Sequence, residues 1–299
     1  MLNQFELCSA PITAAAYEKC DSIVLFLCKE CAPAVPQLEL PVEAAKAVEA
    51  YLAAHDDVYE VGALTSFVLP TEGGLLQLII AGCGEGSDCK PNNFRKAAGE
   101  AARALHKAKA RQAVCAAPIL LNPQRGFYAQ AIAEGLFLGG YTFNRFKSEA
   151  KEAPLCAVKL LSSADDSAKL VEVAEIEAEA VCFTRDLVNN PGNVVTPQVM
   201  VEAALAMGKE LPLEVTVLDE VLLKDRGMEA ILAVGRGSEN PPRMIALQYN
   251  GAGDAPYTAF VGKGVTFDSG GISIKPDDNM GEMKDDMTGA ADVLGAMRA

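Results

Sequence analysis

Histidine is nearly missing from this sequence: His55 and His106 are the two it has in 299 residues, and both sit on alanine-rich stretches of helical spacing in the first half. A catalytic serine needs a histidine base beside it, so the second half of the chain has no base for a serine triad. Also missing is any apolar run near the ~20 residues that span a bilayer. The longest apolar runs, SIVLFLC and LLQLII, have the length of strands. No segment is rich in lysine or arginine. With 40 acids against 26 bases the net charge is −14. That charge repels nucleic acid and anionic membranes over most of the surface, so neither is expected as a partner, while cations are. The first twenty residues carry Glu6 and no basic start. No signal peptide is expected, and the expected compartment is the cytoplasm. Internal repeats and low-complexity segments are absent as well.

Cysteine is present, at nine scattered positions. In a chain with no export signal these read as reduced thiols that mostly fill the core. Cys28-Lys29-Glu30-Cys31 has CxxC form, but a zinc ribbon needs a second such pair. A thioredoxin-type pair would open a helix, whereas PAVPQLELP follows. The expectation is two unrelated thiols at a strand end.

The length suggests about two domains. Strand signals in the first half (SIVLFLC, LLQLIIAGCGEG, QAVCAAPILL, PLCAVKLL) alternate with helical ones (PVEAAKAVEAYLAAH, FRKAAGEAARALHKAKA, YAQAIAEGLFLGGYTF). That alternation indicates an α/β domain with a mostly parallel sheet. The Gly82-Cys83-Gly84-Glu85-Gly86 turn reads as a strand-to-helix turn, since Glu85 is a poor neighbour for a phosphate. Asp165-Asp166-Ser167 opens a long helix, which Asn189-Asn190-Pro191-Gly192-Asn193 stops. The expected organisation is an N-terminal α/β domain over 1–164, a linker helix over 165–190 and a second α/β domain over 191–299, each sheet mixed or mostly parallel and flanked by helices. In the second domain Thr196 caps a helix that begins at Pro197. LEVTVLD, AILAVG, RMIALQY and YTAFVG read as strands, the last running into VGKGVTFDSGGISIKP.

Three chemistries compete for that last stretch. Gly262-Lys263-Gly264 lacks the hydroxyl residue and the following helix of a Walker A loop. Asp268-Ser269-Gly270-Gly271 resembles the surroundings of a chymotrypsin-type serine, yet Phe267 stands where that motif has glycine, and no histidine is near. A metal site fits better. Divalent cations are held by carboxylates, which paired metals can share. Asp268 lies at a strand end, where α/β folds place functional groups, and Gly270-Gly271 permit a tight turn beside a ligand. Further acids are Asp277, Asp278, Glu282, Asp285, Asp286 and Asp292. If a helix starts near Met283, Met283, Met287, Ala290, Val293, Leu294 and Met297 form its apolar stripe. Asp286 falls on that buried side, while Asp285 falls with Glu282 and Asp292 on the polar side. A buried acid needs a cationic partner, either a metal or a lysine. Spacing does not tell which of Lys263 and Lys275 would bind metal as a neutral amine and which would stay charged beside an oxyanion. Nor does it separate either from an ordinary surface lysine.

VGKGVTFDSGGISIKP followed by MKDDMTGAADVLGAMRA closely resembles the leucyl aminopeptidase (cytosol aminopeptidase) family, and NNPGNVVTP and VGRGSENPPRMIALQYNG are similar to further family segments. The motif-bearing similarity runs from about Arg185 to Ala299. The first domain matches the family's variable N-terminal domain in layout alone. The resemblance implies a metal-dependent exopeptidase that removes leucine-like N-terminal residues from peptides. It implies two divalent ions, Zn2+ or Mn2+, with Mg2+ able to occupy one site, and a homo-hexamer. It also implies Lys263, Asp268 and Asp286 as metal ligands, Asp268 bridging both ions, Lys275 as the catalytic cation at the oxyanion, and Met283 as a wall of the pocket for the substrate's first side chain. Thr288 departs from the glycine of many relatives. The family's Asn-Thr-Asp-Ala-Glu-Gly-Arg segment, which supplies its remaining carboxylates, does not occur. The expectation is therefore the N-terminal part of such an enzyme, with weak metal binding and negligible activity alone. The competing expectation is a non-catalytic relative that binds ligands or partners through its first domain.

Overall fold

The structure is a computed structural model describing residues 5–86, 89–149, 154 and 156–299. The chain divides into two compact units, one up to Glu179 and one from Ala180. The division falls inside a long helix, Ser167–Asn189.

The first unit is built on a six-stranded sheet: β1 (Phe5–Ala10), β2 (Ser22–Leu27), β3 (Leu64–Thr71), β4 (Gly74–Gly82), β5 (Gln112–Ala116) and β6 (Cys156–Leu161). The spatial order is β1-β6-β5-β2-β4-β3, parallel throughout except for the β3–β4 hairpin. Parallel sheets are covered on both faces, which is why β2 reads as an unbroken apolar run. Its residues alternate between two cores. Val24 and Phe26 face the side that carries α2 (Pro91–Ala108) and α3 (Gly126–Gly139). Ile23, Leu25 and Leu27 face the side of α1 (Val42–Ala54). All five are fully buried, and each such side chain contributes roughly 1.5–3 kcal/mol. Helices α2 and α3 touch through small residues. A Cβ on Gly135 would lie 2.2 Å from the Arg95 carbonyl oxygen, and one on Gly139 would lie 2.5 Å from that of Gly99.

Sequence signals did not announce β1 and β3. One reading is corrected. Residues Lys29–Leu38 form a 3-10 helix, with Cys28 at its N-cap. Pro33 and Pro36 lie inside it, and their fixed φ suits a helix with few amide donors. The CxxC pair therefore does open a helix.

The second unit takes in the end of α4 (Ser167–Asn189), then α5 (Pro197–Glu210), β7 (Glu214–Leu218), α6 (Glu220–Asp225), α7 (Glu229–Gly235), β8 (Met244–Gln248) and α8 (Thr288–Arg298). Thr196 Oγ1 accepts from the Val199 amide at 3.4 Å, the cap its sequence suggests, and Asp219 Oδ1, expected within a strand, accepts from the Leu222 amide at 3.0 Å and caps α6. Strands β7 and β8 pair antiparallel in a sheet of two. The small core is built from Leu187, Met200, Ala204, Met207, Met287, Ala291 and Leu294. AILAVG, expected as a strand, is helix α7: a short apolar run has no period of its own to separate strand from helix. YTAFVG, also expected as a strand, has no ladder partner among the described residues, and Val261 is 94% exposed. Apolar residues fit a pleated surface, but a neighbour must supply the hydrogen bonds. Among the described residues no helix is long and apolar enough to cross a membrane.

Candidate metal centre

Two lysine–aspartate pairs stand in the stretch before α8. Lys263 Nζ donates to Asp286 Oδ2. Lys275 Nζ pairs with Asp268 Oδ2 at 2.9 Å. One backbone carbonyl ties the aspartates together, because Met283 O accepts from the amides of Asp268 (3.3 Å) and Asp286 (3.5 Å).

The glycines of this stretch set these positions. A Cβ on Gly262 would lie 2.2 Å from the Gly289 carbonyl oxygen. That close approach lets the Ala290 amide donate to Lys263 O at 2.9 Å, fixing Lys263 against the first turn of α8. Gly-Lys-Gly thus serves backbone contact rather than phosphate. Gly270 has φ +89°, and a Cβ there would lie 2.3 Å from Ser273 O. Its amide donates to Asp268 Oδ1 at 2.9 Å, and the loop closes with Lys275 N on Ser269 O at 3.0 Å.

The Lys275 hydrogen bond and then the Gly270 amide hold the Asp268 carboxyl below the usual carboxylate range against the opposing effect of desolvation, with the charges of Lys275 and Lys263 adding less. Asp286 is half-buried and Asp285 exposed. The helix itself begins later than its apolar stripe suggests. Met280–Asp285 is a 3-10 turn, α8 starts at Thr288, and Asp286 caps the turn between them. Thr288 uses its hydroxyl there, donating to Asp285 O at 2.5 Å. Met283 is half-buried, with its Sδ 3.0 Å from Lys275 Nζ. Asp277, Asp278, Glu282 and Asp292 are exposed.

The donors gathered here are two carboxylates and an amine. Oxygen and nitrogen donors of this kind suit zinc, manganese or magnesium. Each carboxylate already faces a cation, the ammonium of a lysine. The residues therefore fit divalent ions by charge and donor type. Sequence reasoning missed the Met283 carbonyl bridge and the Gly262–Gly289 contact. The signal for the second was the spacing of glycines either side of Lys263 and before Ala290.

A mainly parallel α/β unit followed by a second α/β unit bearing paired aspartates and lysines places the chain among two-domain α/β proteins. Two models of one family then match it: the N-terminal domain of the cytosol aminopeptidase family over residues 29–150, and the catalytic domain of that family over residues 182–299. The chain belongs to the cytosol aminopeptidase family. A probable cytosol aminopeptidase of Geobacter sp. (strain M21) is 38% identical over 77% of this chain and 47% of that protein. One of Rickettsia felis is 44% identical over 58% of this chain and 35% of that protein. Among solved structures, a tomato leucine aminopeptidase mutant aligns with TM-score 0.80 and 29% identity over 98% of this chain and 59% of that one. The bottromycin maturation enzyme BotP, in complex with Mn, aligns with TM-score 0.73 and 29% identity over 93% of this chain and 55% of that one. The chain spans about half the length or less of the curated relatives it matches.

Proposed function

We propose that residues 182–299 form one side of the metal centre of an aminopeptidase that releases leucine-like N-terminal residues from peptides. The observation that carries this reading is the pair of aspartates, each facing a lysine and both tied to the Met283 carbonyl. Asp268, Asp286 and Lys263 are the proposed ligands of two divalent ions, Zn2+ or Mn2+, with Mg2+ as an alternative occupant. The manganese in the BotP complex supports a divalent ion. When bound, such ions polarise a carbonyl and lower the pKa of water.

The chain's own residues do the rest. Asp268, already ionised below the usual range, is ready to bind a cation without first losing a proton. Lys275 keeps a positive charge beside the reacting carbonyl, where an oxyanion develops. The Gly270 turn and the Ser269–Lys275 backbone bond orient it. Met283 offers an apolar, adaptable wall to the first side chain of the substrate. We further propose a cytoplasmic enzyme that assembles as a homo-hexamer. Two carboxylates are few for two dications, so these 299 residues bind metal weakly and turn over substrate negligibly.

Manganese titration of the purified chain, followed by electron paramagnetic resonance, tests this. Asp268→Ala and Asp286→Ala each lower affinity at least about tenfold, and the wild-type chain hydrolyses leucine-p-nitroanilide negligibly. Equal manganese binding by all three proteins removes the site assignment. Robust hydrolysis removes the claim of a partial site.

A further inference from the structure

A further cluster of metal-ligating groups lies in the first unit. One ligand atom each of Cys28, Glu30 and Cys89 lie within 4.8 Å of one another. A fourth group adjoins them: Cys31 Sγ is 2.8 Å from Cys28 Sγ. The cluster lines an open cleft of ≈ 430 Å³, bounded also by Gly86, Asn122 and Arg125.

The topology explains why a site forms here. From β2 the chain passes through α1 toward β3 and β4, whereas from β5 it passes through α3 to β6, on the other side of β2 and over the opposite face. The carboxyl ends of β2 and β5 therefore flank a topological switch point, where open α/β sheets bind ligands. Cys28, Glu30 and Cys31 follow β2. Pro118, Ile119 and Asn122 follow β5 and form the opposite wall.

We infer that Cys28, Cys31, Cys89 and Glu30 form a binding site for a thiophilic divalent cation of the zinc type. A tetrahedral ion with bonds of about 2.0–2.3 Å sets its ligand atoms about 3.3–3.8 Å apart, a separation that small side-chain rotations reach from the observed positions. Glu30 is already held, its Oε1 accepting from the Gly86 amide. Three sulfurs and one carboxylate make a tetrahedral set of the kind zinc takes. Zinc binds thiolates, so each thiol that carries a proton releases it to solvent as the ion enters. Arg125 lines the same cleft.

Burial distinguishes this site from a disulfide exchanger. Cys28 is 1% exposed, so its sulfur is poorly placed to attack a partner's disulfide, while a bare ion passes through the cleft. The remaining buried cysteines, Cys83, Cys115, Cys156 and Cys182, belong to no metal-ligating group among the described residues.

The test is a cobalt titration of the full, reduced, metal-stripped chain. The expected result is one equivalent of Co2+ bound with a thiolate-to-cobalt charge-transfer band and the intense visible bands of tetrahedral cobalt, all discharged by Zn2+. Cys89→Ser and Cys28→Ser each weaken the charge-transfer band and lower affinity about tenfold or more, while Glu30→Gln keeps the band intensity at saturation with affinity lowered about tenfold or more. Asp268→Ala and Cys20→Ser keep it unchanged. Circular dichroism confirms that each variant is folded, and if Cys28→Ser is not, the half-buried Cys89 and the exposed Glu30 carry the test. Two results overturn the proposal: a reduced wild-type chain with no thiolate band, or Cys89→Ser and Glu30→Gln variants that bind cobalt with wild-type affinity and an unchanged band. A Cys28–Cys31 disulfide formed with glutathione disulfide in a chain that takes up no cobalt would assign the pair to redox chemistry instead.

Discussion

Asp268 meets one lysine through a hydrogen bond, a second through its charge, and the Gly270 amide through its other oxygen. All three favour the ionised form. Because the group stands in a loop and is about a third exposed, these contacts prepare a ligand more than they hold the fold. Asp268→Asn is therefore expected to leave the thermal midpoint nearly unchanged while manganese affinity falls, as calorimetry and metal titration on one sample would show. His106 behaves in the opposite way. Its ring stacks on Phe5, with centroids 4.5 Å apart, and its Nε2 is buried with no partner among the described residues. Burial lowers its pKa. The unfolded chain, with histidine near 6.5, then binds the proton more readily than the folded one. The stability this contributes is present above about pH 6.5 and is lost as pH falls through the folded value. Thermal melts from pH 7.5 to 5 should show a decline in the wild-type chain that His106→Leu flattens. An equal decline in both would remove His106 from the account.

Between elements, a close contact is the crossing of α2 and α3. Gly135 and Gly139 bring the helices near enough that an added methyl meets backbone oxygen. Gly135→Ala is expected to cost about 1–3 kcal/mol in denaturant unfolding, despite alanine's better helix propensity. A stabilised variant would show that the helices separate freely there. In the second unit, the stretch between β8 and α8 has no strand among the described residues. Ile272 and Ile274 are exposed along it. Hydrogen exchange should find residues 255–275 exchanging fast and β2, β4 and β5 exchanging slowest. Slow exchange at Val261 and Ile274 would point to a ladder that this structure lacks.

Across the whole molecule, the first unit was legible because its signals are local. SIVLFLC, LLQLIIAG and QAVCA are too apolar for anything but a sheet buried on both faces, and the alanine-rich runs between them supply the covering helices. Strand β3 was not legible, since its exposed alternation acquires meaning only from pairing with β4. In the second unit YTAFVG misled for the converse reason: its pattern suits a strand, but pairing is non-local. The candidate centre was legible as a set of residues, Lys263, Asp268, Lys275, Met283 and Asp286, through motif and resemblance. Its pairings were not, because helical spacing presumed a helix from Met283 where a 3-10 turn stands. The CxxC pair showed the same limit. A third sulfur, Cys89, reaches it from beyond β4, across a separation that spacing along the chain does not reveal.

The claim that the second unit carries half of a metal centre is tested most directly by anomalous diffraction at the manganese edge from crystals of this chain soaked in Mn2+. The account predicts a peak within about 2.0–2.6 Å of an Asp268 carboxylate oxygen, with Asp286 and Lys263 as its neighbours and Lys275 displaced from Asp268. Saturating Mn2+ that gives no peak at Asp268, with the Lys275–Asp268 pair intact, would contradict it.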